Sequence, residues 1–421
     1  MLPYGRHQID EDDITAVVEV LRSDFLTGGP AVERFESALA EATGADHAVA
    51  CANGTAALHL ATMGLGLGPG QAAVVPAMTF LATANAVRFT GAEVVFADVD
   101  PQTGLMGPEH LEEALSRAHG LDVRAVIPVH LNGQCVDLAT LAEAAAHHGL
   151  DVVADSCHAL GARYATGHGQ WLPVGCARHA QMECFSFHPV KTVAMGEGGA
   201  VTTNDGALAA RLRRLRNHGV TRDPARFHHP QEVFGADGEP LPWYYEMHEL
   251  GYNYRASDIH CALGASQLAR LGDFVERRRE LVERYDARIR PLAPLVEPPA
   301  RAERCIPAWH LYPVRIDFDG LGLDRATVMH RLRAQGVGTQ VHYIPVNRQP
   351  YYRDRYGEPD TPGADAYYAR TLSLPLFPGM SDDDVEHVVE GLAGTLQLER
   401  KTAGGRRVGE SDSAASRLGR P

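Results

Sequence analysis

Apolar and polar residues along the first half of the chain follow two alternating rhythms. Short, nearly continuous apolar runs at residues 48–51, 74–76, 94–97, 125–129 and 152–155 predict buried strands. Between them, apolar positions spaced three and four apart predict helices over 31–43, 56–63, 80–88, 109–118 and 138–148. In the first of these Val32, Phe35 and Leu39 share one face. Strands alternating with helices make βαβ units, hence an α/β fold with a mostly parallel sheet flanked by helices. In such sheets ligands collect beyond the carboxyl ends of the strands. Gly54-Thr55, Thr79-Phe80, Asp155 and Ser186 all fall at such ends.

The second half continues with a strand at 200–203 and a helix at 206–216. Residues 220–255, rich in Pro, Gly, His and aromatics, predict a long loop with a functional or interface role. Ser257-Asp258 caps a long helical stretch reaching 290, with a break expected near Gly272. It leads to a smaller α+β domain with strands at 311–318 and 338–343. The last helix starts at Ser381-Asp382-Asp383-Asp384, with acids where the helix dipole favours them. Three units follow: a large domain over 1–256, a linking helix and small C-terminal domain over 257–398, and a tail over 399–421. The tail has no apolar run and is expected to be disordered.

Composition narrows the function classes. A chain of 421 residues supplies ample core, and 45% hydrophobic with 22% charged residues is ordinary for a soluble protein. A formal net charge of -14 weighs against partners such as nucleic acid or an anionic membrane. It leaves room for a small anionic ligand held by arginines and backbone N–H groups. Seven scattered cysteines without a C-x-x-C pair fit a reduced compartment. Residues 1–6 contain no apolar leader and no run reaches membrane-spanning length, so a cytoplasmic protein is expected.

One residue stands out chemically. Lysine occurs only at Lys191 and Lys401, and every other basic side chain apart from histidine is arginine. Arginine replaces lysine wherever a solvated positive charge suffices, but its guanidinium does not give up a proton. Lys191 sits in Phe185-Ser186-Phe187-His188-Pro189-Val190-Lys191, ahead of Gly196-Glu197-Gly198-Gly199. The role that demands an amine is a Schiff base with a carbonyl compound, most often pyridoxal 5'-phosphate (PLP). A surviving surface lysine is the plainer alternative.

Other positions suit the same ligand. The N–H groups and hydroxyl at Gly54-Thr55, opening a helix after a strand, suit a phosphate, though any βα turn may hold this pair. Asp155 ends an apolar strand, where a carboxylate needs a cation or serves as a helix cap. Phe80 either lies against a flat ring or belongs to the core. The run at 64–70, Gly-Leu-Gly-Leu-Gly-Pro-Gly, follows a helix and is a helix stop rather than a dinucleotide fingerprint. His147-His148, His228-His229 and His248-Glu249 lack metal-ligand spacing, and no metal is predicted.

Taken together, Asn53-Gly54-Thr55, Thr79-Phe80, Asp155-Ser156-Cys157-His158, the Ser186–Lys191 segment, Gly196–Gly199 and Asn253-Tyr254-Arg255 form a joint pattern. It resembles the DegT/DnrJ/EryC1/StrS family of PLP-dependent sugar aminotransferases over residues 3–397. The resemblance implies the PLP-dependent transferase type I (aspartate aminotransferase-like) fold. It implies that Lys191 bonds the PLP aldehyde, Asp155 pairs the pyridine nitrogen and Phe80 stacks on the ring. Gly54, Thr55 and Ser186 would hold the phosphate, and His158 would contact the ring's phenolic oxygen. Asn253 would reach the phosphate of a neighbouring subunit's cofactor, making a homodimer with a shared active site. The segments at 3–6, 25–28, 221–224, 243–246 and 342–346 further resemble the C4 aminotransferases of pseudaminic-acid synthesis. These act on UDP-linked 4-keto-6-deoxy-N-acetyl-hexosamines with L-glutamate as donor. Ala154, where the family usually has Glu, and Asn53-Gly54-Thr55, where that subgroup usually has Ser-Ala-Thr, depart from the pattern.

Substrate contacts are then expected from Arg6, Thr27, Arg222, Tyr312, His342 and Tyr343. Arg6, Arg222 and Arg255 could equally make structural ion pairs, and Tyr312, His342 and Tyr343 could be strand-end core residues. Alternatives are an aminotransferase acting on a dTDP- or GDP-linked keto-sugar, or a sugar dehydratase of the same family. The dehydratases carry histidine in place of the Schiff-base lysine, which Lys191 disfavours.

Overall fold

The apolar runs become the strands of one sheet in a computed structural model. It describes residues 1–398 other than 168, 230–232, 236, 237 and 240; the tail expected over 399–421 lies outside the described residues. Strands β1 (His47–Cys51), β2 (Gln71–Pro76), β3 (Glu93–Ala97), β4 (Asp122–Val126) and β5 (Asp151–Asp155) alternate with helices α3 (Gly54–Leu65), α4 (Leu81–Phe89), α5 (Pro108–Arg117) and α6 (Leu138–His147). Two earlier helices, α1 (Glu11–Leu21) and α2 (Pro30–Thr43), precede the sheet. After β5 a side hairpin, β6 (Arg163–Ala165) and β7 (Trp171–Pro173), leads to β8 (Met182–Ser186), β9 (Gly199–Thr203) and α7 (Gly206–Leu215). The seven strands lie in the order β1-β9-β8-β5-β4-β2-β3, and β9 alone runs antiparallel to its neighbours. The expected mostly parallel sheet is therefore present.

Alternation along the strands divides the interior. Ala72, Val74, Val126, Val152 and Ala154 enter one apolar core, while Ala73, Val75, Ala125 and Val153 enter another on the opposite face. Each buried Val or Leu contributes on the order of 1.5–3 kcal/mol, so a one-residue slip in register would forfeit both cores. With both faces covered, the middle residues of these strands are mostly apolar, as buried parallel sheets favour.

The loop at 220–255 holds only the short pair β10 (Val220–Thr221) and β11 (Glu246–Met247) as strands among its described residues. Beyond it, α8 (Asp258–Ala269) and α9 (Leu271–Ile289) lead to β12 (Val296–Glu297), β13 (Cys305–Ile306) and β14 (Tyr312–Ile316). The chain closes with α10 (Phe318–Leu321), α11 (Arg325–Ala334), α12 (Pro350–Tyr356), α13 (Pro362–Arg370), β15 (Thr371–Leu374) and α14 (Asp382–Thr395). Strands β12, β14 and β15 form a second, antiparallel sheet over a third core that includes Tyr285, Tyr312 and Leu392.

Two expectations need revision. Helix α1 went unpredicted although its start is written in the sequence: Asp10 and Asp13 form a capping box. Asp13, almost fully buried, also accepts from Ser266 and Gln267 and pairs with Arg270. The helix break expected near Gly272 is present, centred on Arg270, and this arginine is turned aside to hold Asp10 and Asp13. Residues 338–343 form no strand; Gln340 makes one isolated bridge to Ser373.

One tight passage ties the two halves together. Gly133 has φ +95°, and a Cβ there would meet the carbonyl oxygen of Ala308 at 2.0 Å. Gly133 O accepts from Ala308 N, and Asn132 O accepts from His310 N, both at 3.0 Å. Gly133→Ala should therefore cost about 2–4 kcal/mol, read as a lowered midpoint in chemical denaturation. An unchanged midpoint would mean this contact is not tight.

Candidate active site

A cavity of about 570 Å³ opens where β2, β5 and β8 end and α3 begins. Such a volume suits a cofactor-sized ligand. Of the residues singled out from sequence, Gly54, Thr55, Phe80, Asp155, His158, Ser186, Lys191, His342 and Tyr343 line it.

The anion end is built by α3. Asn53 caps the helix, its side chain accepting from Ala56 N at 2.9 Å. The N–H groups of Gly54 and Thr55 precede any intrahelical acceptor and sit at the positive end of the helix dipole. Ser186 closes in from β8: a Cβ on Gly54 would meet Ser186 Cβ at 2.7 Å. Gly199 on β9 sits equally close, with Asn53 O only 2.2 Å from where its Cβ would be. The glycines let two backbones and a hydroxyl converge, a cradle that suits a phosphate.

Asp155 is 5% exposed and makes no ion pair among the described residues. Its Oδ2 accepts from Thr83 Oγ1 at 2.7 Å and its Oδ1 from Cys157 N at 3.1 Å. The Thr79 and Thr83 hydroxyls are 2.7 Å apart, so Thr79 donates to Thr83 and Thr83 passes its own proton to the carboxylate. A buried carboxylate held by neutral donors still lacks a counter-charge, and a protonated ring nitrogen supplies one. Ala154, beside it, pairs in register with Glu183 on β8. Glu183 is buried and accepts from Ser156 Oγ, Gly175 N and Ala177 N. Burial raises its carboxyl above the usual range.

Lys191 is part-buried against the same cavity, on a loop pinned by Phe187 N to Gly198 O and Met195 N to Phe187 O, both 2.8 Å. Burial lowers its ammonium below the ordinary lysine value, with Cys157 and Asp155 opposing. The amine is thereby biased toward the nucleophilic, unprotonated form. Three histidines nearby are held neutral by burial: His158 and His310 well below the usual value, His342 to about 3. Phe80, 53% exposed, forms an open wall with its ring centroid 5.6 Å from that of Tyr343. Amine, carboxylate, flat apolar wall and anion cradle fit PLP as a set.

The remaining expectations are met differently. Tyr312 is fully buried in the third core, stacked on Tyr285 at 4.6 Å, its hydroxyl donating to Asp286. It cannot reach a ligand, so its assignment to the substrate is withdrawn. Arg6, Thr27, Arg222 and Asn253 are exposed and line no part of this cavity within one chain. Arg255 donates to Asn217 Oδ1 at 2.6 Å, a structural role. Sequence reasoning missed Tyr4, Thr83, His310 and Gln340; only Thr83, one helical turn from Thr79, left a signal. His228, Glu246 and His248, passed over in sequence, do meet. The two imidazole rings stack with centroids 4.0 Å apart, and Glu246 clasps the loop by accepting from His228 N, His229 N and His248.

The fold and this constellation define a PLP-dependent transaminase. The chain belongs to the DegT/DnrJ/EryC1/StrS aminotransferase family, whose sequence profile matches residues 7–393. It is 39% identical over 394 residues to the spore coat polysaccharide biosynthesis protein SpsC of Bacillus subtilis (strain 168), covering 93% of this chain and 96% of SpsC. Among solved structures it superposes on Helicobacter pylori PseC, an aminotransferase of pseudaminic-acid biosynthesis. The TM-score is 0.82 at 26% identity, over 94% of this chain and 99% of PseC. It also superposes on Spr1654 from Streptococcus pneumoniae, solved in PLP and PMP forms, each with TM-score 0.81 at 27% identity over 94% of this chain and 98% or 99% of that one. The protein is thus a sugar aminotransferase that uses PLP. Among the described residues no helix is long and apolar enough to cross a membrane.

The lowered Lys191 pKa has a measurable sign. Acylation of the apo protein by a neutral reagent should level off with pH below 10.5, where ordinary lysine reaches its midpoint. Because the charge of Asp155 opposes the shift, Asp155→Asn should move the plateau lower still. A profile matching free lysine would contradict this.

Proposed function

We propose that the enzyme converts the 4-keto group of a UDP-linked 4-keto-6-deoxy-N-acetyl-hexosamine to a 4-amino group, with L-glutamate as donor. The observation that carries the transamination is Lys191 and Asp155 facing one cavity whose far end is the α3 N-terminus. Similarity to PseC, an aminotransferase of pseudaminic-acid biosynthesis, supports a sugar of that series. The second reading is another nucleotide-linked keto-sugar, such as a dTDP- or GDP-linked one, since SpsC, at 39% identity, is a spore coat polysaccharide biosynthesis protein.

Bound PLP supplies an electron sink for the carbanion that forms when an α-proton leaves. Asp155 keeps the ring nitrogen protonated, and that proton makes the ring a sink. With PLP bound, Lys191 Nζ would hold its aldehyde, and the released amine would serve as the general base that takes the donor's α-proton. With the keto-sugar bound, the same amine would act as the general acid that returns a proton at the sugar's C4. Gly54, Thr55 and Ser186 hold the phosphate so that the ring stays fixed while the amine moves. His342 lines the same cavity and would face the sugar.

The active unit in this proposal is a homodimer. Trp243, Met247 and Leu250 are 72%, 62% and 74% exposed, an apolar surface that a second copy would cover. Asn253, exposed nearby in sequence, would then reach the partner's phosphate, and Arg6, Thr27 and Arg222 would serve the shared site. We also propose the division into a large domain over 1–256 and a small one over 257–398, with the cavity drawing Lys191 from one and His310 and Tyr343 from the other.

Glutamate-dependent amination across a panel of nucleotide-linked 4-keto-sugars tests the reading. The UDP-linked N-acetyl sugar should be aminated at C4, and Lys191→Arg should lower turnover by at least about 10⁴-fold while keeping the positive charge. Deoxygenated product would replace the reading with a dehydratase. Amination of only dTDP- or GDP-linked sugars would replace the substrate.

A further inference from the structure

Hydrogen-bond directions around His158 can be assigned from partners that have no choice. Asn132 N–H, a backbone group that can only donate, lies 3.3 Å from His158 Nδ1. Nδ1 is therefore the acceptor, and in the neutral ring the proton sits on Nε2. Nε2 lies 3.0 Å from the Tyr343 hydroxyl. Having received this proton, the tyrosine oxygen must turn its own O–H elsewhere. Among the described residues that hydroxyl has no other hydrogen-bond partner, and Tyr343 lines the cavity. His310, tilted against His158 with centroids 4.5 Å apart, holds the ring in place. The loop carrying Asn132 is fixed in turn by Gly133 against Ala308.

We infer that Tyr343, steered by His158, is the hydrogen-bond donor this enzyme aims at the phenolic oxygen of its cofactor. His158 lies behind it as a positioning residue. The chain of direction runs from the Asn132 amide through the imidazole to the tyrosine oxygen and out into the cavity. Burial keeps the Tyr343 phenol protonated, as a donor must be. The inference rests on the cofactor and not on the sugar, so failure of the substrate panel would leave it standing, and its own failure would leave the amination reading intact.

The test is the visible absorbance of the PLP-loaded enzyme followed against pH. A donor on the anionic ring oxygen favours the form in which the neighbouring cofactor-bound nitrogen has lost its proton. Removing the donor should raise the midpoint. Tyr343→Phe should bind PLP and raise the midpoint by about one pH unit. His158→Ala should raise it less, and the double variant should match Tyr343→Phe alone. Any variant that fails to fold, judged by circular dichroism, leaves the remaining two to decide. A full shift in His158→Ala with none in Tyr343→Phe would make His158 the donor. Additive shifts, or no shift in any variant, would equally overturn the inference.

Discussion

The site depends on a carboxylate taken out of water without a charged partner. Asp155 is placed at the end of a strand whose preceding residues Val152, Val153 and Ala154 are apolar, where solvation is lost and Thr83 and the Cys157 amide donate to it. Leaving a charge in that condition is costly unless a ligand completes the balance. The residues lining the cavity define which ligand fits, and a protonated ring nitrogen would complete that balance. The α3 N-terminus wants an anion at a fixed distance from it, and Phe80 offers a flat face between the two.

Packing makes that placement rigid. β9 returns antiparallel between β1 and β8, so its Gly199 lies directly against Asn53. The loop bearing Lys191 is thus tied at both ends to neighbouring strands. Beneath Asp155, Glu183 gathers Ser156 and two backbone amides from 175–177, fixing the turn that follows β5. It stands opposite Ala154, the position at which the sequence departs from the family's usual glutamate. A carboxylate is retained under the turn, supplied from the adjacent strand.

Local pattern carried much of this. Apolar runs with helical stretches between them located the large sheet, and the scarcity of lysine pointed to Lys191 before any geometry was known. What stayed hidden was whatever depends on distant parts of the chain meeting. His310 reaches the cavity from a segment with no local signature, Tyr4 from a segment noted only for its resemblance, and Asn132 orients His158 through a backbone amide that no side-chain motif records. Tyr312 misled because a residue at a strand start was given the same meaning in both sheets, yet the second sheet turns this ring into its own core. Residues 338–343 misled for a related reason: their apolar positions face the cavity and a neighbouring loop rather than a ladder.

The near-total use of arginine has an outcome beyond catalysis. Reactive aldehydes condense with primary amines and not with guanidinium at ordinary pH. Across residues 1–398 the only such amines are the chain's first nitrogen and Lys191. Beyond Lys191 the chain's one further lysine is Lys401, so surplus vitamin-derived aldehyde in solution meets few side-chain amines that could act as decoys.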